Sequence, residues 1–282
     1  MNEALKPGRY NNLRVARMVD FGVYLDGGEY GDILMPGKYV PEGTHIGDTL
    51  NVFVYCDSED RMVATTEQAL AQVGTCAYLE CTSNSKFGAF LNWGLAKDLL
   101  VPFREQTVQM KERRKYPVFV YLDGKSGRIA ASAHIEKFMN KGRALYPIGS
   151  EAALFIYGKT DLGYKAVVNN EFTGLLYFNQ VFAPLNIGDH VKGYIAQIRE
   201  DGKIDLSIRP SGYESVQDSS GEILAKLKQA GGFMPFTDHS EPDAIYAAFG
   251  MSKKLWKKSV GTLYKKQLIQ LDSEGIRLVS ED

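Results

Sequence analysis

The sequence has few cysteines, no long apolar run and almost no net charge. It has 282 residues, of which 44% are hydrophobic and 24% are charged, and its formal net charge is −1. Because no stretch of about 18 apolar residues occurs, neither a transmembrane helix nor a membrane partner is predicted. Residues 1–8 contain no apolar core of signal-peptide length, so secretion is not expected. A net charge this close to zero gives no overall attraction to a polyanion, so nucleic-acid binding would need locally segregated charge.

The sequence has three cysteines, Cys56, Cys76 and Cys81, and so small and odd a number argues against a disulfide framework. Such sparse use of cysteine is typical of the reducing cytoplasm, which is the location we expect. Cys76 and Cys81 lie in a strand-like segment, where alternation places them on opposite faces and away from a shared metal. The histidines have no metal-ligand spacing, and no Ser-His-Asp order or nucleophile elbow occurs. We therefore expect no catalytic residue, metal, cofactor or small-molecule substrate, and we predict that the chain is not an enzyme.

What the sequence does contain is a threefold internal repeat. The motif Phe-Gly-Val-Tyr at 21–24 recurs as Phe-Gly-Ala-Phe at 87–90 and as Leu-Gly-Tyr-Lys at 162–165. A second motif follows the first at the same spacing in every copy, and it ends at Pro36, Pro102 and Tyr177.

Later positions of the repeat agree as well. A Gly-Asp turn occurs at one constant spacing from the first motif, at 47–48 in copy one and at 188–189 in copy three, whereas copy two has Arg113 and Arg114 there. A basic residue opens the last strand-like run at nearly the same spacing in each copy, at Arg61, Arg128 and Lys203. Chance agreement at so many positions is improbable, so the chain contains three copies of one unit.

Each unit consists of short alternating strands separated by Gly, Asp and Pro, which predicts a small all-β barrel. The glycines at 22, 88 and 163 interrupt strand patterns. We expect a bulge or a tight bend at these glycines that lets a five-stranded sheet close. The predicted boundaries of the three barrels are 1–70, 71–142 and 143–212.

The remaining residues, 213–282, have a helical pattern. Residues 219–222 (Ser-Ser-Gly-Glu) are predicted to cap a first helix, which the glycines at 231 and 232 end. A second helix is predicted over 242–249, and a third begins at Ser252, with Trp256 in the core. A β-hairpin over 268–279 follows. Three helices and a hairpin form the layout of an α+β winged-helix domain.

The repeated motifs resemble those of the S1 RNA-binding domain of the OB-fold class. Phe-Gly-x-aromatic, Gly/Asp-x-Leu-x-Pro, Gly-Asp-x-Val and Asp-Gly-Lys-Ile-x-Leu-Ser carry the resemblance, and the last of them lies at 201–207. Three such units before a short helical domain resemble the conserved virulence factor B family of bacterial RNA-binding regulators. The resemblance covers essentially the whole chain. It implies a multidomain fold of three all-β OB (S1-type) barrels followed by an α+β winged-helix domain.

In the S1 pattern, two aromatic residues of the first motif stack on the bases of single-stranded RNA. The resemblance places these residues at Phe21 and Tyr24 in copy one, and at Phe87 and Phe90 in copy two. Such stacking is worth ~1–3 kcal/mol per base. An aromatic residue on a strand is, taken alone, more often a core residue than a binding platform. Both interpretations therefore stay open for each ring.

The resemblance also implies charged contacts late in each copy. Copy one has Asp57 and Arg61, and copy two has Arg128 with Gly124 at the Asp position. The S1 pattern commonly has His where this chain has Pro or Tyr at the end of the second motif. Copy three lacks both aromatics, so its binding would depend on Lys165, Tyr177, Arg199 and Lys203. The alternative is a degenerate barrel kept as a spacer.

The predicted third helix holds the sharpest charge feature. Between 251 and 270 there are six lysines and no acidic residue. Lysine lacks the bidentate fork that reads base edges, so we predict phosphate contacts without sequence choice. The alternative is a plain solvated helix face. Four of these lysines share one face of the helix: Lys253, Lys254, Lys257 and Lys258.

These features favour a post-transcriptional regulator that binds single-stranded RNA with low sequence selectivity. Two alternatives remain. One is a DNA-binding transcription regulator that acts through the winged helix, and the other is a non-catalytic accessory subunit of an RNA-processing enzyme. The expected partner is single-stranded RNA, with weak duplex contact by the C-terminal domain.

Overall fold

The computed structural model describes residues 4–181, 184–210 and 216–279, apart from the side chains at 179 and 216–218. The predicted boundary between 212 and 213 therefore lies outside the described residues. The described residues form two compact units, and the dividing line passes through the third barrel. Within the described ranges, no helix is long and apolar enough to cross a membrane.

The first barrel (barrel 1) is a closed ring of five strands in the order β1-β2-β3-β5-β4. Its core forms because alternate residues of each strand point inward, among them Val15, Val23 and Leu25. The ring closes through a short parallel contact in which Leu34 is paired with Val63. The strands are β1 (Tyr10–Val19), β2 (Gly22–Asp26), β3 (Asp32–Pro36), β4 (Thr49–Cys56) and β5 (Met62–Thr65).

The second barrel (barrel 2) repeats this strand order but is not closed by hydrogen bonds. Its sheet has the order β10-β9-β6-β7-β8, and β8 lies beside β10 without a ladder between them. The strands are β6 (Cys76–Ser85), β7 (Gly88–Asn92), β8 (Leu99–Pro102), β9 (Lys115–Leu122) and β10 (Ile129–Ser132).

The third barrel (barrel 3) is again a closed ring, in the order β11-β12-β13-β15-β14. The predicted succession of OB barrels is therefore confirmed in strand order for all three copies. The strands are β11 (Glu151–Lys159), β12 (Gly163–Val168), β13 (Phe172–Tyr177), β14 (His190–Ile198) and β15 (Ile204–Ser207).

The repeated glycine has a different role from the predicted bulge. The irregularity in register lies in the strand before it, between Val15 and Arg17 in β1 and between Cys81 and Ser83 in β6. A Cβ on Gly22 would lie 2.2 Å from the carbonyl oxygen of Met35, and a Cβ on Gly88 would lie 2.2 Å from that of Val101. The glycine is thus needed because the next strand approaches closely.

The C-terminal residues form the predicted winged-helix domain around a core that includes Trp256. The predicted cap at 219–222 is wrong, because the first helix begins earlier and Ser220 lies inside it, donating a hydrogen bond to the carbonyl of Ser259 at 3.1 Å. A short strand that the sequence did not predict joins the hairpin in a sheet of order β16-β18-β17. The elements are α1 (Val216–Gln229), β16 (Phe233–Met234), α2 (Pro242–Phe249), α3 (Lys253–Lys265), β17 (Ile269–Leu271) and β18 (Ile276–Leu278).

Candidate nucleic-acid interface

The first position of the repeat is exposed in all three barrels. Phe21 is 60% exposed, Phe87 is 62% exposed, and Leu162 is 63% exposed. Each residue directly precedes the glycine that brings the next strand close, so its side chain stands in a turn outside the barrel wall. The core interpretation is therefore wrong for Phe21 and Phe87, and both rings are available to solvent.

In barrel 1, Phe21 and Tyr24 form an edge-to-face pair with centroids 6.4 Å apart. The guanidinium carbon of Arg17 lies 3.7 Å from the centroid of the Tyr24 ring, and Arg17 Nε donates a hydrogen bond to Asp32 at 3.1 Å. One face of Tyr24 is thus already occupied by a cation–π contact, whereas Phe21 is open. The sequence interpretation missed Arg17, although its position opposite Tyr24 in the β1–β2 ladder follows from strand pairing.

Asp57 holds Arg61 in place beside the start of β5. Arg61 donates to Asp57 Oδ2 through Nε at 3.0 Å and through its terminal nitrogen at 2.7 Å. Burial raises the pKa of Asp57, but the hydrogen bonds from the side chain and backbone of Arg61 outweigh it, so the pKa lies below its ordinary value. The hydrogen bond to Asp57 also raises the pKa of Arg61. Asp57 therefore positions the cation, since a carboxylate would itself repel a phosphate.

In barrel 2, three of the predicted residues line one open cavity of about 410 Å³: Phe87, Phe90 and Arg128. Strand pairing explains why they converge, since Phe90 lies on β7 opposite Leu100 of β8, and Arg128 directly precedes β10 beside β8. The sequence interpretation missed Lys97 and Arg104, which add positive charge to the same lining. The cavity thus combines the exposed ring of Phe87 and the half-buried ring of Phe90 with three cations.

The β4–β5 turn of barrel 1 forms one wall of this cavity. Asp60 is paired with Arg128 and lies 3.8 Å from Lys97 Nζ, and Lys97 donates a 2.6 Å hydrogen bond to the carbonyl of Asp57. Trp93 of barrel 2, which also lines the cavity, packs edge-on against Phe53 of barrel 1, with centroids 5.5 Å apart. The apolar core of barrel 2 extends onto Phe53, Tyr55 and Val63 of barrel 1, and this packing holds the two barrels in a constant relation.

The predicted residues of barrel 3 are largely engaged with other side chains. Arg199 donates to Asp205 at 2.9 Å and to the hydroxyl of Tyr177, and the hydrogen bond to Asp205 raises the pKa of Arg199. Lys203 Nζ lies 2.7 Å from Asp201, and this hydrogen bond lowers the pKa of that carboxyl. Arg61 and Arg128 are in ion pairs as well, so what favours the spacer alternative for this copy is the absence of the two aromatic residues.

Lys165 belongs to a contact between barrels 2 and 3. It is paired with Glu136, which also accepts a 2.9 Å hydrogen bond from the Tyr157 hydroxyl. The hydrogen bond from Lys165 lowers the pKa of Glu136, whereas burial raises the pKa of Tyr157. Lys165 thus stabilises the packing of barrel 3 on barrel 2 rather than standing free for a ligand.

The lysine face of α3 is exposed on the winged-helix domain. The Ser252 side chain caps this helix by accepting from the N–H of Leu255 at 3.3 Å, and Leu255 and Trp256 turn its apolar face to the core. Lys257 Nζ lies 3.3 Å from Asp238. Lys254, Lys257 and Lys258 are exposed, and Lys253 is half-buried. The predicted shared face is thus present, with one of its cations partly neutralised.

No three His, Cys, Asp or Glu side chains within the described ranges lie together in a way that could hold a metal ion.

Comparison with known proteins agrees with this architecture. A model of the S1 domain matches residues 7–67 and 73–134, which contain barrels 1 and 2, and a model of the CvfB-like winged helix domain matches residues 221–278. OB barrels commonly bind oligonucleotides, and domains that present a recognition helix, as winged helices do, commonly bind DNA. These domains therefore point to a nucleic-acid-binding regulator.

Relatives of known sequence are similar to this chain over most of its length. The uncharacterized protein YitL of Bacillus subtilis is 25% identical over 94% of this chain and 91% of its own. Conserved virulence factor B of Staphylococcus aureus is 24% identical over 84% of this chain and 81% of its own. A crystal structure of a multidomain protein with nucleic acid binding domains from Streptococcus pneumoniae is 22% identical, covers 97% of this chain and 98% of that one, and has a TM-score of 0.40. The chain thus contains two S1 domains and a CvfB-like winged helix domain, and it is similar to conserved virulence factor B over most of its length.

Proposed function

We propose that this protein is a post-transcriptional regulator that holds single-stranded RNA on barrels 1 and 2. One observation carries the proposal: Phe87, Phe90 and Arg128 surround one open cavity of about 410 Å³, together with Lys97 and Arg104. An exposed ring can stack on an unpaired base, and the neighbouring cations can hold its phosphate. A paired duplex keeps its bases stacked on each other, so this surface suits a single strand better.

Barrel 1 extends this surface with Phe21, which is 60% exposed, and with Arg61. The core of barrel 2 extends onto barrel 1, and this packing keeps both ring sites at one spacing. Two weak sites at a constant spacing raise the affinity for a strand long enough to reach both, because the second site acts at high effective concentration. The rings of these sites would stack on base faces, and the cations would contact phosphates. Neither contact reads the edges of the bases, so low sequence selectivity follows. The buried free thiols of Cys76 and Cys81 suit a reducing cytoplasm as the place of action.

The winged-helix domain supports a second candidate, duplex contact through α3. The exposed side chains of Lys254 and Lys258 lie on the helix face opposite the core and could contact phosphates without reading sequence. This contact would supplement the binding of single-stranded RNA by the barrels, and a duplex segment of a folded RNA could be its target. A regulator that acts through the winged helix alone would instead prefer duplex DNA to single-stranded RNA.

The test is competition binding of labelled oligo(U) RNA against single-stranded DNA and duplex DNA at constant salt. We expect the RNA to be displaced least by the duplex. The F87A/F90A variant should bind the RNA roughly 5- to 150-fold more weakly, which is the loss of one stacked base. Leu162→Ala is the matched control, because Leu162 occupies the Phe87 position of barrel 3 and is equally exposed.

Three results would overturn the proposal. The first is stronger competition by duplex DNA than by single strands. The second is unchanged RNA affinity in F87A/F90A when circular dichroism shows an intact fold. The third is magnesium-dependent cleavage of the labelled RNA by the purified chain, which would indicate an enzyme.

A further inference from the structure

Barrel 2 differs from the other two copies at the turn before its fourth strand. Barrel 1 has Gly47 and Asp48 at this turn, and barrel 3 has Gly188 and Asp189, whereas barrel 2 has the sequence Lys-Glu-Arg-Arg-Lys at 111–115. We name the four cations of this segment the basic turn: Lys111, Arg113, Arg114 and Lys115. None of the four lines the Phe87 cavity.

The backbone of the basic turn is the same as in the other copies. Arg113 donates its N–H to the carbonyl of Cys81 at 2.8 Å, and Cys81 donates to the carbonyl of Arg114 at 2.9 Å. Barrel 1 has the same pair of bonds between its Gly-Asp turn and Val15, and barrel 3 has them with Ile156. The replacement of Gly-Asp by Arg-Arg therefore leaves the backbone hydrogen bonds of the turn unchanged.

The basic turn is also unfavourable for the backbone. Arg113 has a φ of +63°, at the position where Gly47 has +97° and Gly188 has +99°. A left-handed conformation is uncommon for residues other than glycine, asparagine and aspartate, because the Cβ crowds the backbone. Residues held in such conformations cluster at functional sites, where another requirement outweighs the cost.

Barrel 2 also lacks the aspartate that accepts a backbone hydrogen bond at this turn in the other two barrels. Asp48 accepts a 2.8 Å hydrogen bond from the N–H of His45, and Asp189 accepts the equivalent bond from Asn186 at 2.7 Å. In barrel 2 the N–H of Lys111 donates instead to the hydroxyl of Tyr116 at 2.8 Å. The Tyr116 hydroxyl thus replaces the carboxylate as the acceptor, and Arg114 occupies the position of the aspartate.

The four cations of the basic turn are exposed, and among the described residues none has a carboxylate oxygen within 4.0 Å. By contrast, Arg61 and Arg128 on the ring faces are both in ion pairs. The acids nearest in the chain or across the ladder are Glu112, which directly precedes Arg113, and Glu80, which lies opposite Lys115 in the β6–β9 ladder without an ion pair. Four cations against two acids leave this surface positive.

A shallow cavity of about 590 Å³ opens on the same surface. Lys111, Arg114 and Lys115 line it together with Tyr116 and with Tyr78, which is 37% exposed. Free cations beside half-exposed tyrosines suit a phosphate backbone, and arginine in particular binds phosphate oxygens in pairs. An acidic protein surface would satisfy the charge but would not require the tyrosines.

We propose that the basic turn is a second RNA contact, which binds the phosphates of single-stranded RNA outside the Phe87 cavity. This inference rests on the proposed function. It assigns the strongest phosphate attraction in barrel 2 to a surface without the stacking rings. Removal of the basic turn should therefore change the salt dependence of binding, whereas removal of the rings should change the affinity at every salt concentration.

The test variant is R113G/R114N, which gives barrel 2 nearly the Gly-Asp turn of the other copies. It should fold as well as the wild type, with an equal or higher melting temperature, because glycine relieves the left-handed position. For oligo(U) RNA, the slope of log affinity against log salt should fall by about 1.4, which corresponds to two lost phosphate contacts. K141Q/R143Q is the control, because it removes the same two charges from exposed residues elsewhere.

The results separate this inference from the proposed function. An unchanged slope in R113G/R114N, or an equal decrease in K141Q/R143Q, refutes the basic turn as a contact. A third result also refutes it: R113G/R114N binds oligo(U) as the wild type does but loses the binding of the wild type to polyglutamate. That result would indicate an acidic protein partner. If R113G/R114N weakens RNA binding and F87A/F90A does not, the basic turn is supported and the ring site fails. Failure of the wild type to bind oligo(U) overturns both.

Discussion

Barrels 2 and 3 have the same strand order but differ in the side chains on their outer surfaces. Barrel 2 exposes Phe87 beside a cavity lined with cations, whereas barrel 3 exposes Leu162 and has Lys165 paired with Glu136. The inward alternation that forms the barrel is common to both, so the fold places no constraint on the outward positions. A barrel can thus keep its structure after its binding residues have changed, and the outward residues have to be judged copy by copy.

The two barrels also differ in what they are attached to. The core of barrel 2 continues into barrel 1 through Trp93, Phe53 and Tyr55, and the turn of barrel 1 completes the Phe87 cavity. The candidate site therefore belongs to two copies of the repeat together. The first prediction concerns this attachment, because its loss should have the largest effect.

Trp93→Ala should destabilise barrels 1 and 2 as one unit, by about 3–5 kcal/mol. Trp93 is buried against two rings of barrel 1, and its Nε1 donates a 2.6 Å hydrogen bond to the carbonyl of Lys97, a residue of the cavity lining. Denaturant unfolding monitored by hydrogen exchange should show earlier exchange in β4, β5 and β7, with the winged-helix core unaffected.

Phe103→Ala is the control for Trp93→Ala, because Phe103 lies in barrel 2 and is 52% exposed. Its effect should stay within about 0.5 kcal/mol, as expected for an exposed residue. Earlier exchange in barrel 2 alone after Trp93→Ala would show that the two barrels are stable separately, and the site would then belong to barrel 2 by itself.

The sequence predicted the features that recur and missed those that join different copies. The spacing from Phe21 to Pro36 recurs in both later copies, and the spacing to Gly47 recurs in copy three. These spacings identified three barrels, because buried positions and turn bonds must repeat when a fold repeats. The pairing of Asp60 with Arg128 joins two copies, so no spacing within the repeat contains it. Contacts that depend on register or on tertiary packing were missed for a related reason. Only the β1–β2 register places Arg17 over Tyr24, and the cap at 219–222 failed because the packing of Ser220 against α3 extends the helix beyond its local signal.

The second prediction concerns the acid that holds the late arginine of barrel 1, and it depends on pH. Asp57→Asn should cost about 1 kcal/mol of stability at pH 7, since it weakens a twofold hydrogen bond with Arg61. The pKa of Asp57 is lowered in the folded chain, so the carboxylate stabilises the fold above its unfolded pKa of about 3.9. This stabilisation is lost as the pH falls through the folded pKa, and the difference between the variant and the wild type should then disappear.

Chemical denaturation at pH 7 and at a series of values below pH 4 measures this difference. Glu59→Gln is the control, because Glu59 contacts the same Arg61 at 2.9 Å from a more exposed position. It should change stability little at any pH. A difference for Asp57→Asn that persists unchanged at the lowest pH would contradict the assigned role, because protonated aspartate and asparagine should then be equivalent.

The smallest expected effect returns to barrel 3. Leu162→Phe restores the missing ring at an exposed position, and we expect it to raise RNA affinity by less than about twofold. The reason is that a stacked base gains little unless its phosphate is also held, and Lys165 of this barrel is paired with Glu136. The double variant L162F/E136Q releases Lys165 and should gain more than the sum of the two single variants. A large gain from Leu162→Phe alone would show that the missing ring, and not the pairing of Lys165 with Glu136, distinguishes the two barrels.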